Sequence, residues 1–464
     1  MNSTSANQDN QKDLDQIQSQ QSDRPVDTIP PEVKQHFFRD VTMPNLLTDY
    51  DVLGFDADHC LVKYNIQPIV EMLIDLELDD FIEMGYPKSI KKFYQLENAI
   101  QMCLNGSIFD IDNGLVIKLT EGQEVVRALK GYKQLSQAEI QEVYGSPPVF
   151  THYQWPNTTH LSGKQGAYWT FLTFFDTPKV ALVLSAIDLI EKGLVKNKSY
   201  HDVADDIKTI VYKNYIHFND KEVKKIGTYG KFFPEMVKDP SKYIQFQPSL
   251  RQSLQTLRDA GKKLFLATNS HTEYSNLIMT ATLGEDWRSF FDIICCYCRK
   301  PLFFWDVKTD PFYELNLNVA NQKGRAIMDP EFIVQGATYT QGNSKTLTGF
   351  FERILERNGL RIAFFGDQYI TDVYSSSVNE GWDAFAVVEE LNHYDPRYSE
   401  GEDPQLIKYD SFWGEDTYFV EKSADGKRVK RSYFISQVED CARYMLPLMR
   451  NINLMMGQNE NKNQ

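Results

Sequence analysis

No apolar run in the chain approaches the length needed to cross a bilayer, so a helical membrane span is not its organising element. Positive charge is also short: 49 Lys and Arg face 64 Asp and Glu, a formal charge of −15. That balance opposes general affinity for nucleic acid polymers or an anionic membrane, which rests on basic surface. It still allows a locally positive pocket around a small phosphate. Cysteine is sparse, 6 in 464 residues, with no disulfide-framework spacing. Cys295, Cys296 and Cys298 share one apolar stretch, but no second Cys/His pair stands at metal-site spacing. Reduced, buried strand residues fit better and suit a cytoplasmic enzyme. The N-terminus lacks the apolar segment of a signal peptide and reads as a disordered tail over 1–30. Residues 456–464 read the same way.

What is present is a globular composition, 42% hydrophobic and 24% charged, in a chain long enough for two domains. The stretch from Asp51 to Tyr64 stands out. Val52, Leu53 and Phe55 have the character of a buried strand, and Asp56 and Asp58 follow at its carboxyl end. Open α/β sheets bind ligands at that end of their strands. Two close acids there repel one another, and a divalent cation is the simplest counterweight. The plain alternative is a strand followed by an acidic turn.

Past Tyr64 the pattern turns helical through Val70, Leu73, Ile74 and Leu78. Apolar residues around Asp112-Asn113-Gly114 predict a hairpin over 105–119. Tyr168, Trp169, Phe171, Phe174 and Phe175 suggest either an aromatic ligand box or helix core. The helical run opened by Pro178 favours helix core. From 67 to 243 there is no regular β–α alternation, so this part reads as an inserted, mainly helical domain. From Pro248 the rhythm changes. Leu250, Leu254 and Leu257 share a helix face, and strands follow over 263–267, 291–297, 362–365 and 384–388, the last of the set. A polar, irregular connection precedes the helix opened by Gly342-Asn343-Ser344.

The expected fold is α/β: a Rossmann-like parallel core over 40–66 and 245–395, with a cap over 67–244 inserted after the first catalytic strand. An extension over 396–455 would carry an apolar-striped helix over 434–454, packing on the core or forming a subunit contact.

The strand ends supply Asp56 and Asp58, then Thr268 and Asn269, then Lys300, then Asp367 with Asp372 five residues on. That inventory matches metal-assisted phosphoryl transfer through a carboxylate nucleophile. Asp56 would attack. Asp58 would serve as general acid and base. Thr268, Asn269 and Lys300 would bind phosphate oxygens. A Mg²⁺ ion would sit on Asp56, Asp58 and Asp367, with Asp372 orienting its surroundings. Each fragment has a plain reading: a helix cap at 268–270, a loop lysine at 300, a turn with an N-cap at 366–372. Together they point to one site.

With these residues in hand, the chain resembles the haloacid-dehalogenase superfamily of phosphatases. More closely it is similar to the cytosolic purine 5′-nucleotidase family, in the branch of 5′-nucleotidase-domain-containing proteins. Gly54-Phe55-Asp56-Ala57-Asp58 resembles that family's first motif and Phe265-Leu266-Ala267-Thr268-Asn269-Ser270 its second. Arg299-Lys300-Pro301-Leu302-Phe303-Phe304 resembles the third, and Phe365-Gly366-Asp367 with Asp372 the fourth. The likeness runs from Thr42 to Leu391. It implies a Mg²⁺-dependent phosphatase for nucleoside monophosphates, a helical cap that recognises the base, a cytosolic location and frequent homo-oligomers. Two departures stand out. Cys60 occupies the place where the first motif usually has Thr or Val. Ala204 and Lys208 stand where purine nucleotidases carry a base-contacting Arg and Asp. The altered cap leaves a non-nucleotide monoester, such as a sugar phosphate, as the alternative substrate. A binding or scaffold role on the same fold is the third reading.

Overall fold

In a computed structural model of the chain, the residues described are 46–92, 102–103, 105–151, 164–165, 167–216, 226–227, 230–305, 310–315, 323–390, 420–422, 428–447, 449 and 452–456. Both predicted tails and the irregular stretch after 391 lie outside them, apart from Met456.

The first strand, β1 (Val52–Phe55), is followed by six short strands in the insertion. These are β2 (Ile108–Asp110), β3 (Leu115–Leu119), β4 (Val125–Lys130), β5 (Lys133–Gln134), β6 (Lys164–Gln165) and β7 (Tyr168–Thr170). Then come β8 (Lys263–Ala267), β9 (Ile293–Cys296), β10 (Phe312–Leu315), β11 (Lys323–Ile327) and β12 (Thr338–Gln341). The chain continues through β13 (Ile362–Gly366), β14 (Asp383–Val387), β15 (Val420–Lys422), β16 (Arg428–Arg431) and β17 (Tyr444–Leu446).

Nine strands form one sheet in the order β11-β10-β12-β9-β8-β1-β13-β14-β17. From β12 to β17 every neighbour is parallel; β10 and β11 join antiparallel at one edge. This is the Rossmann-like core expected. Alternate residues along its strands feed two separate apolar cores. Leu53, Phe55, Leu264, Leu266, Ala363 and Phe365 enter one. Val52, Phe265, Ala267, Ile293, Ile362 and Phe364 enter the other. A period of two with both faces covered explains why these strands read as continuous apolar runs. Cys295 and Cys296 fall into opposite cores, and all six cysteines are buried and outside any disulfide among the described residues.

The sheet has a topological switch at β1. The chain runs from β1 through β8 and β9 to β12 on one side, then restarts with β13 on the other. Such a switch opens a crevice at the strands' carboxyl ends. Asp56 and Asp367 follow the two strands that flank it.

The insertion is richer in strands than its sequence suggests. The helices Ile66–Glu83, Pro178–Glu191 and Tyr200–Val211 are there, and so is the predicted hairpin β2–β3. Around that hairpin lies a six-stranded antiparallel sheet, β5-β4-β3-β2-β7-β6. Tyr168 and Trp169 belong to β7, and Phe171, Phe174 and Phe175 lie before the helix begins at Pro178. They are therefore not helix core.

Two further expectations change. The connection before Asn343 holds β10, β11 and β12. The C-terminal helix is only Tyr433–Cys441, after which β17 pairs with β14, so 384–388 is not the last strand. Ile435, Val438, Leu446 and Met449 enter the core beside β14, so this segment packs back on the sheet.

Candidate active site

Asp56 leaves β1 with its N–H donating to the Phe365 carbonyl at 2.8 Å, which sets it beside the end of β13. Lys300 lies beyond β9 and is fully buried. Its Nζ donates to Asp372 Oδ1 at 2.6 Å and stands 2.9 Å from Asp56 Oδ1, an ion pair without hydrogen-bond alignment. These two carboxylates hold its pKa above the ordinary lysine value despite burial. The Asn269 side chain clamps the Lys300 backbone. Its Oδ1 accepts from Lys300 N at 2.6 Å and its Nδ2 donates to Lys300 O at 2.9 Å. The Asn269 side chain is thus committed to Lys300, and the phosphate contact expected at this position is the one through a backbone N–H.

Asp372 sits on the π-helix Tyr369–Asn379, which begins just after β13. Its Oδ2 accepts from Gln368 N at 3.1 Å. Gly366 makes the approach possible, because a Cβ there would lie 2.3 Å from the Asp372 Cβ. Burial, then the neighbouring Asp56 charge, pushes the Asp372 carboxyl up to about 7. Asp367 is pushed well above the carboxylate range by burial and by Asp372, Asp56 and Asp58.

Oxygens of Asp56, Asp367 and Asp372 lie within 4.8 Å of one another. No such group forms around Cys295, Cys296 and Cys298 among the described residues. Asp58 does not join the three acids, against the expectation for it. Its side chain is held elsewhere: Tyr64 Oη donates to Oδ1 at 2.5 Å and Ser270 Oγ to Oδ2 at 2.6 Å. Burial, then the Asp56 charge, raises Asp58 to about 6. Thr268 Oγ1 accepts from Ser270 N at 3.1 Å, which leaves its own proton free to donate.

Between Asp58 and the insertion lies an aromatic cluster. The His59 ring sits 4.6 Å from Tyr64, 5.3 Å from Phe174 and 4.9 Å from Phe175, centroid to centroid. His59 adopts φ +51°, and neither ring nitrogen has a hydrogen-bond partner among the described residues. Burial pushes its pKa down to about 3, so it is neutral. Cys60 fills an apolar position as expected, with Sγ 3.4 Å from Phe365 O. Ala204 is in the core and Lys208 is exposed.

Sequence reasoning missed Tyr64 and Ser270 as partners of Asp58, and Tyr274 behind Tyr64. Ser270 stood inside the quoted Thr-Asn-Ser string, and Tyr64 closed the first motif stretch, so both lay within reach. A surface cleft of about 740 Å³, lined by Asn65, Ile244, Phe246 and Leu277 among others, contains none of the strand-end acids.

Three relatives are similar to this chain in sequence. The human 5′-nucleotidase domain-containing protein 1 is 29% identical over 74% of this chain and 72% of its own length. Its Bos taurus counterpart is 30% identical over the same shares. The human 5′-nucleotidase domain-containing protein 2 is 28% identical over 79% of this chain and 66% of its own. The sequence model of the 5′ nucleotidase family matches residues 44–404, a span that takes in β1 with its acids, the whole insertion, Lys300 and Asp372. The chain belongs to the 5′-nucleotidase family.

Proposed function

We propose that the protein is a Mg²⁺-dependent phosphomonoesterase that hydrolyses nucleoside 5′-monophosphates through an aspartyl-phosphate on Asp56. The observation that carries this reading is the convergence of Asp56, Asp372 and Asp367 around the buried Lys300 ammonium. Three carboxyl groups crowd more negative charge than one ammonium offsets, which pushes Asp367 and Asp372 toward their protonated forms. Hard oxygen donors of that charge fit Mg²⁺. Asp56, Asp367 and Asp372 would hold it, with Asp372 taking the place first expected for Asp58. When bound, the ion offsets the charge of a phosphate dianion.

The chain's own groups carry the rest. An Asp56 oxygen attacks phosphorus, and the bond to the leaving oxygen breaks as Asp58 gives that oxygen its proton. In the second half Asp58 takes a proton from water, the water oxygen bonds to phosphorus, and the bond to Asp56 breaks. Inorganic phosphate leaves and Asp58 is again protonated. Lys300 holds Asp56 and offsets charge on the transferring group. The Thr268 hydroxyl and the Asn269 N–H are assigned to non-bridging oxygens. The insertion 67–244 serves as a cap, a role supported by Phe174 and Phe175 lying against His59 beside Asp58. A cytoplasmic location accompanies this reading and is supported by six buried cysteines that form no disulfide among the described residues.

The test is phosphate release from a panel of nucleotides, sugar phosphates and p-nitrophenyl phosphate, with and without Mg²⁺. The reading expects metal-dependent release that Asp56→Asn abolishes. Release that survives that substitution refutes the nucleophile. A second reading, a non-nucleotide monoester as substrate, is favoured by buried Ala204 and exposed Lys208 at the expected base-contact places. A preference for sugar phosphates over every nucleotide in the panel selects it.

A further inference from the structure

We propose that Tyr64 is a positioning residue: its hydroxyl orients the Asp58 carboxyl and ties it to the two linkers that join the insertion to the sheet. This rests on the phosphatase reading above and deepens it.

Tyr64 is buried, and among the described residues its Oη has two polar contacts, Asp58 Oδ1 at 2.5 Å and Tyr274 Oη at 3.0 Å. A phenol carries one proton. If Tyr64 gives that proton to Asp58, Tyr274 must donate to Tyr64, and a directed chain runs from Tyr274 through Tyr64 to the carboxylate. Tyr274 stands on the helix Thr272–Leu283, just past Ser270, which grips the other Asp58 oxygen. Asp58 is thus held from two sides by neutral hydroxyls, while Asp56 is held by an ammonium.

Tyr64 also stands where the chain leaves the core. It forms an antiparallel bridge with Ile244, where the chain comes back. Asn65 N donates to Tyr243 O at 2.8 Å and Gln245 N to Lys63 O at 2.9 Å. The Asn65 and Gln245 side chains bond each other at 2.9 Å. The outgoing and returning linkers are therefore stitched together at the residue that grips Asp58. A shift of the insertion that pulls on this stitch moves the Tyr64 hydroxyl. The proton-handling group then works only when the linkers are in register, while Asp56 and Lys300 stay fixed to the sheet.

The test uses two esters that differ in their need for a proton. An alkyl monophosphate leaves as a strongly basic alkoxide unless protonated; p-nitrophenolate leaves without help. For both, kcat/KM reports transfer to Asp56. Tyr64→Phe keeps the ring against His59 and Phe175 and removes only the hydroxyl. Losing a hydrogen bond to a charged group corresponds to about tenfold to hundredfold. The expected result is a loss of that size for the alkyl ester and less than about twofold for p-nitrophenyl phosphate, matching the pattern of Asp58→Asn in a weaker form. Equal losses on both esters, or none on the alkyl ester, overturn the inference. Tyr274→Phe, which removes the outer link, is expected to give the same pattern at about threefold and carries the test if Tyr64→Phe does not fold. If Asp58→Asn itself shows no split between the esters, or the wild-type protein turns over neither, the phosphatase reading has failed. If Asp58→Asn splits them and neither tyrosine variant does, only the role of Tyr64 has.

Discussion

Replacing Lys300 by Met probes the site without relying on turnover. The ammonium is buried and stands 2.6 Å from Asp372 and 2.9 Å from Asp56. At an effective dielectric near 20 each attraction is about 6 kcal/mol before desolvation is counted. Most of that is offset by burying the charges, but removing one partner leaves the others uncompensated, which costs about 3–5 kcal/mol. Asp372 already titrates near 7 and Asp58 near 6, both raised first by burial. An acid with a raised folded pKa favours the folded state at low pH and loses that contribution as pH rises through the folded value. Without Lys300 the Asp372 carboxyl rises further, so the variant's deficit grows between pH 5 and pH 8. Urea unfolding without metal is the assay. The expected deficit is about 3–5 kcal/mol at pH 8 and about 1 kcal/mol less at pH 5. A deficit under about 1 kcal/mol at pH 8, or one equal at both pH values, refutes the idea that one lysine compensates this acid cluster.

Other consequences can be checked separately. Mg²⁺ at a hundred times its dissociation constant should stabilise the wild-type protein by about 2.7 kcal/mol, seen as a shift in Tm, and Asp367→Asn should abolish the shift. Gly366→Ala should weaken Mg²⁺ binding about 10- to 100-fold by calorimetry, because its Cβ would push Asp372 off the strand end. Asp58→Asn should lower kcat/KM for an alkyl monophosphate by about 10²- to 10⁴-fold. In the wild type that parameter should fall as pH rises above about 6, where Asp58 loses its proton, and the variant should lack this limb.

The core strands were legible because buried parallel strands carry their signal in composition. The reading of 263–267 coincides with β8 (Lys263–Ala267), and Asp56, Thr268, Lys300 and Asp367 follow from it at successive strand ends. β12 was not legible. Thr338–Gln341 is buried along its whole length, yet Thr, Tyr and Gln give no apolar run. β17 was misread because Tyr444, Met445 and Leu446 are too few to separate a helical stripe from a strand. The sheet of the insertion was hidden for a related reason: its strands hold two to six residues, and the pairing that joins them into one sheet, β2 with β7, links segments far apart in the chain. At the site, residue types were readable and their allegiances were not. Whether Asp58 or Asp372 joins Asp56 depends on where Tyr64, Ser270 and the π-helix lie, and no spacing rule encodes that.

The most direct test is to trap the covalent intermediate. The wild-type protein is mixed with Mg²⁺ and a monoester labelled in its phosphoryl group, quenched in acid within the first turnover, and mapped by peptide mass. The account predicts one acid-stable, alkali-labile phosphoryl group on the peptide that contains Asp56, absent without Mg²⁺ and absent in Asp56→Asn. Turnover with the label on any other residue, or with no labelled protein while Asp56→Asn remains active, contradicts it.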